Sequence, residues 1–596
     1  YRAMYMEMNF LTEDMWRSWQ PDENVVAVFA LKGDFPQFDG ERESLTEKVN
    51  PSDSEAKSLT GAEEQSGSER ESLTKTCPSG KNGIFRAKRL LHAGDALASD
   101  ETAVEFRVRT SVCTDNYNGY CYVNTMNREA TRKYIELTHE KYKEKCGERF
   151  GKEIYGVFTD EPHRGGVFTN FAEAEVNAVP YTQDLFEEFE KRFGYSLKER
   201  LPELFLRTQE AELSKVTRDY FELCQELFLE RFAIPVYDWC KQNKLIFTGH
   251  VLHEDSLACQ AVMQGSLMRF YEYMDYPGID ILSEGNRCYW VAKQISSVAR
   301  QLDKEWVLSE LYGCTGWQMD FEDYKNVGDW QALFGVNLRC PHLSWYTMKG
   351  EAKRDYPASI LHQSGWYQDY RYVEDYFSRI HAVLHGGKPA CELLVINPIE
   401  SVWARAYSGA FDGLAAADGE MKRLEAQYAS LFHMLAGNRI DFDYGEEDIL
   451  ARHGRVEDCV LYVGKAAYRK VLVAGMDTMR RSTLHLLETF AAQGGEVIFA
   501  GEVPGYMDVE PSEEPGKLAE TCIRINFTEQ EVARACRSGH EVGIVRTGDG
   551  GQKENTENQD LFAQAFEIEG GRVIMVLNVN REQGYNGITL DLGEGS

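Results

Sequence analysis

Ile154-Tyr155-Gly156-Val157-Phe158-Thr159-Asp160-Glu161-Pro162-His163 is the stretch that decides the fold. A short run rich in apolar side chains reads as a strand and ends on two acids and a histidine. The same grammar returns downstream. Leu245-Ile246-Phe247-Thr248-Gly249 is followed by His250, His253, Glu254 and Asp255, and Ile279-Asp280-Ile281-Leu282 by Glu284. Trp306-Val307-Leu308-Ser309 is followed by Glu310, and His342-Leu343-Ser344-Trp345-Tyr346 carries Trp345. Helical stretches separate these runs. Asn127 is placed to cap a helix over 128–146 that stops at Gly147, and more helices are predicted within 182–243, 289–303 and 323–334. Short apolar strands alternating with helices predict βα units around a parallel sheet buried on both faces. No G-x-G-x-x-G follows a strand and no P-loop is present, which favours a TIM-type (α/β)8 barrel over an open nucleotide-binding sheet.

Upstream, 25–31 and 103–112 read as strands. Between them, 41–84 is rich in Glu, Ser, Thr, Lys and Gly, and the hexamer Glu41-Arg42-Glu43-Ser44-Leu45-Thr46 recurs at 69–74. Such a segment buries too little surface to offset its ordering entropy and is expected to be a mobile excursion. Downstream, the pattern resets. Strands at 393–396, 471–474 and 496–500 with helices at 420–437 and 480–493 predict an open α/β domain. It resembles glutamine-amidotransferase-like domains, but Gly475-Met476-Asp477-Thr478 offers no nucleophilic Cys at the strand-to-helix turn. A structural role or an assembly surface, and with it an oligomer, is the reading. Strand-like runs at 541–545 and 572–577 open a β-sandwich. The expected division is 1–115, a strand-containing insertion; 116–385, the barrel; 386–515, the open α/β domain; and 516–596, a partial sandwich. The chain begins at Tyr1 and stops at Gly593-Glu594-Gly595-Ser596, so both ends read as cut. The barrel is expected to lack its first three strands.

The net charge of −31 repels phosphate backbones and anionic lipids, which argues against nucleic acid and membrane surfaces as partners. The cysteines form no C-x-x-C pair and several sit in apolar runs, the pattern of unpaired thiols in a reducing compartment, favouring the cytoplasm.

In βα barrels the reactive groups sit at the C-terminal ends of strands. Carboxylates, histidines and aromatics converge there. Glycoside cleavage needs two carboxyl groups across the scissile bond, one donating a proton and the other attacking carbon or activating water. Glu161 and Glu310, with two strands between them, are the predicted pair, with Glu284 as a third acid. Asp160, His163, His250, His253 and Glu254 are candidates for holding substrate hydroxyls, and Trp317 and Trp345 for stacking on sugar faces. His250, His253 and an acid could alternatively hold zinc, and rim carboxylates such as Glu284 supply the hard oxygens that calcium takes. No organic cofactor is called for.

Asn124-Thr125-Met126-Asn127-Arg128-Glu129-Ala130-Thr131, Phe158-Thr159-Asp160-Glu161-Pro162, Thr248-Gly249-His250, Glu272-Tyr273-Met274-Asp275 with Pro277-Gly278-Ile279-Asp280, and Leu308-Ser309-Glu310-Leu311-Tyr312-Gly313 together resemble glycoside hydrolase family 106. The resemblance spans about residues 100–510. It implies an α-L-rhamnosidase-like hydrolase on an (α/β)8 barrel, inverting and calcium-dependent, acting on an oligosaccharide or glycoside. It maps Glu161, Glu310 and Glu284 onto acidic rim positions. The strand order is also similar to the clan of retaining β-glycosidases, which leaves the stereochemistry open. The competing expectation is a non-catalytic carbohydrate-binding or scaffold protein on the same fold.

Overall fold

The computed structural model describes residues 1–35, 83–169, 177–209, 211–342, 344, 345, 347, 349, 360–539, 541–547, 553–555 and 560–591. Nearly all of the expected excursion at 41–84, and Tyr346, lie outside the described residues. Four antiparallel strands open the chain: β1 (Met4–Leu11), β2 (Val25–Asp34), β3 (Ile84–Leu90) and β4 (Thr102–Thr110). β5 (Gly156–Thr159) starts a parallel series. β6 (Ala178–Tyr181) and β7 (Arg207–Thr208) return to the first sheet, whose order is β6-β1-β4-β2-β3-β7. The parallel series resumes with β8 (Ile246–Gly249), β9 (Tyr276–Asp280), β10 (Leu308–Leu311) and β11 (Leu338–Pro341).

β5, β8, β9, β10 and β11 pair in chain order and in parallel. Sequential order with a helical crossover between neighbours is the winding of a barrel, and five strands make an open part of one. Among the described residues neither outer edge of this sheet pairs with a further strand. Phe247 and Ile279 are fully buried beneath the crossover helices, as sheets covered on both faces require. The glycines are there for backbone contact. A Cβ on Gly249 (φ +129°) would lie 1.9 Å from the carbonyl oxygen of Thr159, and one on Gly278 would lie 2.2 Å from that of Gly249.

Local expectations shift by a few residues. The helix expected over 128–146 is two, Arg128–Leu137 and His139–Cys146, broken at Thr138, with Asn127 Oδ1 accepting from the backbone N–H groups of Glu129 and Ala130. The strand expected at 279–282 runs Tyr276–Asp280, and that at 306–309 runs Leu308–Leu311. Glu310 is therefore inside its strand rather than just past it.

The second α/β unit has five parallel strands in the spatial order Asp443–Gly445, Leu393–Ile396, Lys470–Ala474, Glu496–Ala500, Ile523–Ile525. Numbered along the chain this is 2-1-3-4-5, an open doubly wound sheet whose switch point falls between Leu393–Ile396 and Lys470–Ala474. Ligands ordinarily enter that crevice. Here it is filled by charge. Arg269, 1% exposed, binds Glu446 (2.7 Å), Glu222 (2.8 Å) and Glu400 (2.7 Å), and Arg480 binds Glu400 (2.6 Å) and Glu222 (2.8 Å). Glu222 and Arg269 come from the barrel unit, so the network ties the two units together. Two three-stranded sheets follow, one joining Lys388–Pro389 to Leu561–Ile568 and Gly571–Asn578, the other joining Gly543–Thr547, Lys553–Asn555 and Ile588–Asp591.

Candidate active site

Register brings the rim together. Thr159 pairs with Gly249, so Asp160, Glu161 and His250 leave the sheet side by side. Glu310 pairs with Asp280 on the neighbouring strand, and side chains in register share a face. β8 and β9 stand between the strands carrying Glu161 and Glu310.

His250 is the hub. Its ring is 1% exposed, and Nε2 lies 2.8 Å from Glu310 Oε2 and 3.3 Å from Asp160 Oδ1. Burial alone would lower its pKa. The hydrogen bond to Glu310 and the charges of Asp280, Glu254 and Glu310 overcome this and raise it to about 9, so the ring is an imidazolium at neutral pH. The consequence for Glu310 is the reverse. Burial pushes its carboxyl up, but the bond from His250, with His342 Nε2 at 3.7 Å from Oε1, brings it below the ordinary glutamate value. Glu161 receives no such bond. Burial raises its pKa, His250 offsets part of this, and the negative charges of Asp160 and Glu310 add to it. Its backbone sits in the left-handed region (φ +51°), an uncommon conformation for a side-chain-bearing residue.

Two further acids complete the cluster. Asp280 is pushed up to about 7, first by burial and then by Glu310, Glu161 and Asp160 against the opposing pull of His250. Glu254 lies beneath it, pushed up to about 8 by burial although it accepts from the Tyr271 hydroxyl and from the backbone N–H of Asp280 (2.9 Å). Asp280, His342 and Tyr271 were not singled out as candidates from the sequence. For Asp280 a signal existed: it is the last residue of β9, hidden by placing the end of that strand two residues too late.

The other candidates divide. His163 is buried, stacks on Tyr122 (centroids 3.9 Å apart), accepts from the Gly165 N–H at Nδ1, and is held neutral because burial lowers its pKa to about 3. Trp317 and Trp345 come together with ring centroids 5.2 Å apart, in loops beyond β10 and β11, and Trp317 is exposed. Glu284 is not among the charges acting on Glu161 or Glu310 and acts instead on Arg581. The pairing of His250 with His253 around one ion does not form. Among the described residues two clusters have ligand atoms close enough to share a cation, Asp160–His250–Glu310 and His253–Asp255–Cys259, and each histidine belongs to a different one. A cleft of about 190 Å³ lies along the free edge of β5, lined by Tyr122, Tyr134, Asp160, Pro162 and Phe232, beside the carboxylates and not between them. Every cysteine among the described residues is a free thiol, and no helix there is long and apolar enough to cross a membrane.

No protein-family model and no curated protein sequence matches the chain. Among solved structures, a rhamnosidase from Novosphingobium sp. PP1Y superposes with a TM-score of 0.52 at 17% identity, over 82% of this chain and 47% of that one. An exo-carrageenase GH42 from Bacteroides ovatus gives 0.49 at 10% identity, over 78% and 65%, and a β-galactosidase from Rahnella sp. R3 gives 0.45 at 12%, over 77% and 65%. The first of these shows the fold: this chain has an architecture similar to about half the length of that rhamnosidase.

Proposed function

We propose that the chain carries the catalytic rim of a glycoside hydrolase, with Glu161 as proton donor and Glu310 as the carboxylate that attacks the anomeric carbon or activates water. The observation behind this reading is the opposite displacement of two carboxyl groups on one rim. Burial and neighbouring negative charge raise the Glu161 carboxyl toward the protonated form, whereas the His250 imidazolium holds Glu310 below the ordinary glutamate value. Acid and base roles on glycosidases divide in this way. In this reading His250 is hydrogen-bonded to Glu310 and ion-paired with Asp160, and it serves as the cation that holds the two acids on one rim. Asp280 Oδ1 and His250 Nδ1, buried without a hydrogen-bond partner among the described residues, suit a hydroxyl-rich ligand. The paired indoles supply a stacking wall. The motif resemblance and the rhamnosidase-like fold make an α-L-rhamnoside the first substrate to try. The second α/β unit serves as a structural support, its switch-point crevice filled by ion pairs.

The test uses 4-nitrophenyl α-L-rhamnoside and β-galactoside. Glu161→Gln and Glu310→Gln should each lose about 10²–10⁴-fold in kcat. A 2,4-dinitrophenyl leaving group needs no proton, so it should restore Glu161→Gln and leave Glu310→Gln impaired. Wild-type rates in both variants sink the pairing. Sugar binding without hydrolysis of any glycoside gives the ground to the carbohydrate-binding alternative.

A further inference from the structure

The loop leaving β8 sends its chemistry in two directions. His250 and Glu254 turn into the carboxylate cluster. His253, Asp255 and Cys259 converge on one another, with one ligand atom from each within 4.8 Å of the other two. The Cys288 thiol, buried, donates to Asp255 Oδ1 at 3.5 Å from the position that precedes helix Tyr289–Gln301. The Trp290 indole N–H donates to the Asp255 carbonyl at 2.7 Å, so loop and helix start are already held against each other. None of these four side chains has a part in the sugar chemistry proposed above.

The donor set selects among cations. Calcium takes six to eight oxygen ligands, and one carboxylate cannot supply them. Two thiols, one imidazole and one carboxylate form a nitrogen, oxygen and sulfur set of the kind zinc takes in tetrahedral geometry. Bonds of about 2.0–2.3 Å to a tetrahedral zinc put neighbouring ligand atoms roughly 3.3–3.8 Å apart. The Asp255–Cys288 distance is already in that range; His253, Asp255 and Cys259, within 4.8 Å of one another, draw in around the ion, and Cys288, which touches the trio through Asp255, swings in as the fourth ligand. We propose that His253, Asp255, Cys259 and Cys288 form a structural zinc site that fastens the β8 loop to the start of helix Tyr289–Gln301. Four protein ligands leave no open position, so the ion's role is to hold the loop and not to react.

The experiment is a cobalt and zinc titration of the whole chain after metal stripping. Wild type should bind one equivalent of Co²⁺ with intense tetrahedral visible bands and a near-ultraviolet thiolate-to-cobalt band, displaced by Zn²⁺ and not by Ca²⁺. Cys288→Ser should about halve the thiolate band and weaken binding about 100-fold. Cys259→Ser combined with Cys288→Ser should abolish the band, while Cys459→Ser, at an exposed thiol elsewhere, should leave it unchanged. Absence of a thiolate band in wild type overturns the proposal, whatever the variants do. A band that survives in the double variant overturns it equally.

Discussion

Arg269→Met is the most informative single perturbation of the support beneath the rim. The guanidinium is held on all sides, by Glu446 at Nε, Glu222 at one terminal nitrogen and Glu400 at the other, and lies 4.9 Å over the Trp403 ring. Methionine fills a similar length without charge. The loss is uneven across the three acids. Glu222 and Glu400 keep Arg480, and Glu400 also keeps Arg218 at 2.8 Å. Glu446 is fully buried and loses the one cation directly bonded to it among the described residues, retaining the backbone N–H groups of Asp448 and Ile449, which it caps. Stranding one buried charge costs about 3–5 kcal/mol. At about 2–4 °C per kcal/mol this is roughly 6–20 °C in the melting of this region. The assay is urea and thermal unfolding followed by tryptophan emission, with Trp403 as the local reporter. Glu446→Gln added to Arg269→Met removes the stranded charge and should recover part of the loss. The deficit should also shrink as pH falls from 7 to 5. Burial already raises the Glu446 carboxyl with Arg269 beside it; removing Arg269 raises it further, so Glu446 is neutralised sooner in the folded variant than in its unfolded chain, and protonation favours folding. A cost under about 1 kcal/mol, or no gain from Glu446→Gln, refutes the view that this network is a set of interdependent buried charges.

Two other substitutions probe the rim itself. His250→Gln keeps a hydrogen-bond donor toward Glu310 but removes the positive charge, so the Glu310 carboxyl should titrate higher and the acidic limb of kcat/KM should move to higher pH; an unmoved limb would show that His250 does not set it. Gly249→Ala puts a methyl group into the Thr159 carbonyl and should cost more than about 3 kcal/mol, whereas Gly194→Ala, also left-handed but with open space around it, should cost about 1–2 kcal/mol, compared by thermal unfolding.

The parallel series was legible because its inner strands are largely buried and so appear as short runs without charged side chains, such as Ile246-Phe247-Thr248-Gly249. β1 was not legible. Met4-Tyr5-Met6-Glu7-Met8-Asn9-Phe10-Leu11 carries a weak strand signal, and its place is fixed by pairing with β4 on one side and β6 on the other, partners about 100 and 170 residues away. At the site, Glu161 and His250 were visible as residues just past strands, and Glu310 as an acid at the end of an apolar run before a loop. The place of Asp280 in the cluster was not visible, because an error of two residues at the strand's end moves attention from the last residue of a strand to the loop beyond it, where Glu284 sits. The network at the second sheet was invisible for a different reason. Arg480 and Glu222 are 258 positions apart, and nothing local marks either as buried.

The loop from His250 to Cys259 explains why two glutamates on one rim acquire opposite characters. Either would be pushed toward the neutral form by burial alone, as the direction of that effect at both shows. What separates them is a single hydrogen-bonding cation, delivered to Glu310 and not to Glu161, at the end of a strand that lies between theirs. The position of that cation depends on a short loop with a left-handed residue, His253 (φ +58°), three places along. Glu254 anchors the loop beneath β9 through the Asp280 N–H. The proposed zinc ligands would anchor its far side to the next helix. If both anchors hold the same loop, metal loss should disturb the rim in a defined way: both glutamates should titrate higher as His250 moves, Glu310 by more, because it loses a hydrogen bond as well as a charge whereas Glu161 loses the charge alone. That unequal rise distinguishes a metal that positions His250 from one that merely stabilises the fold, because general destabilisation would affect the two glutamates together.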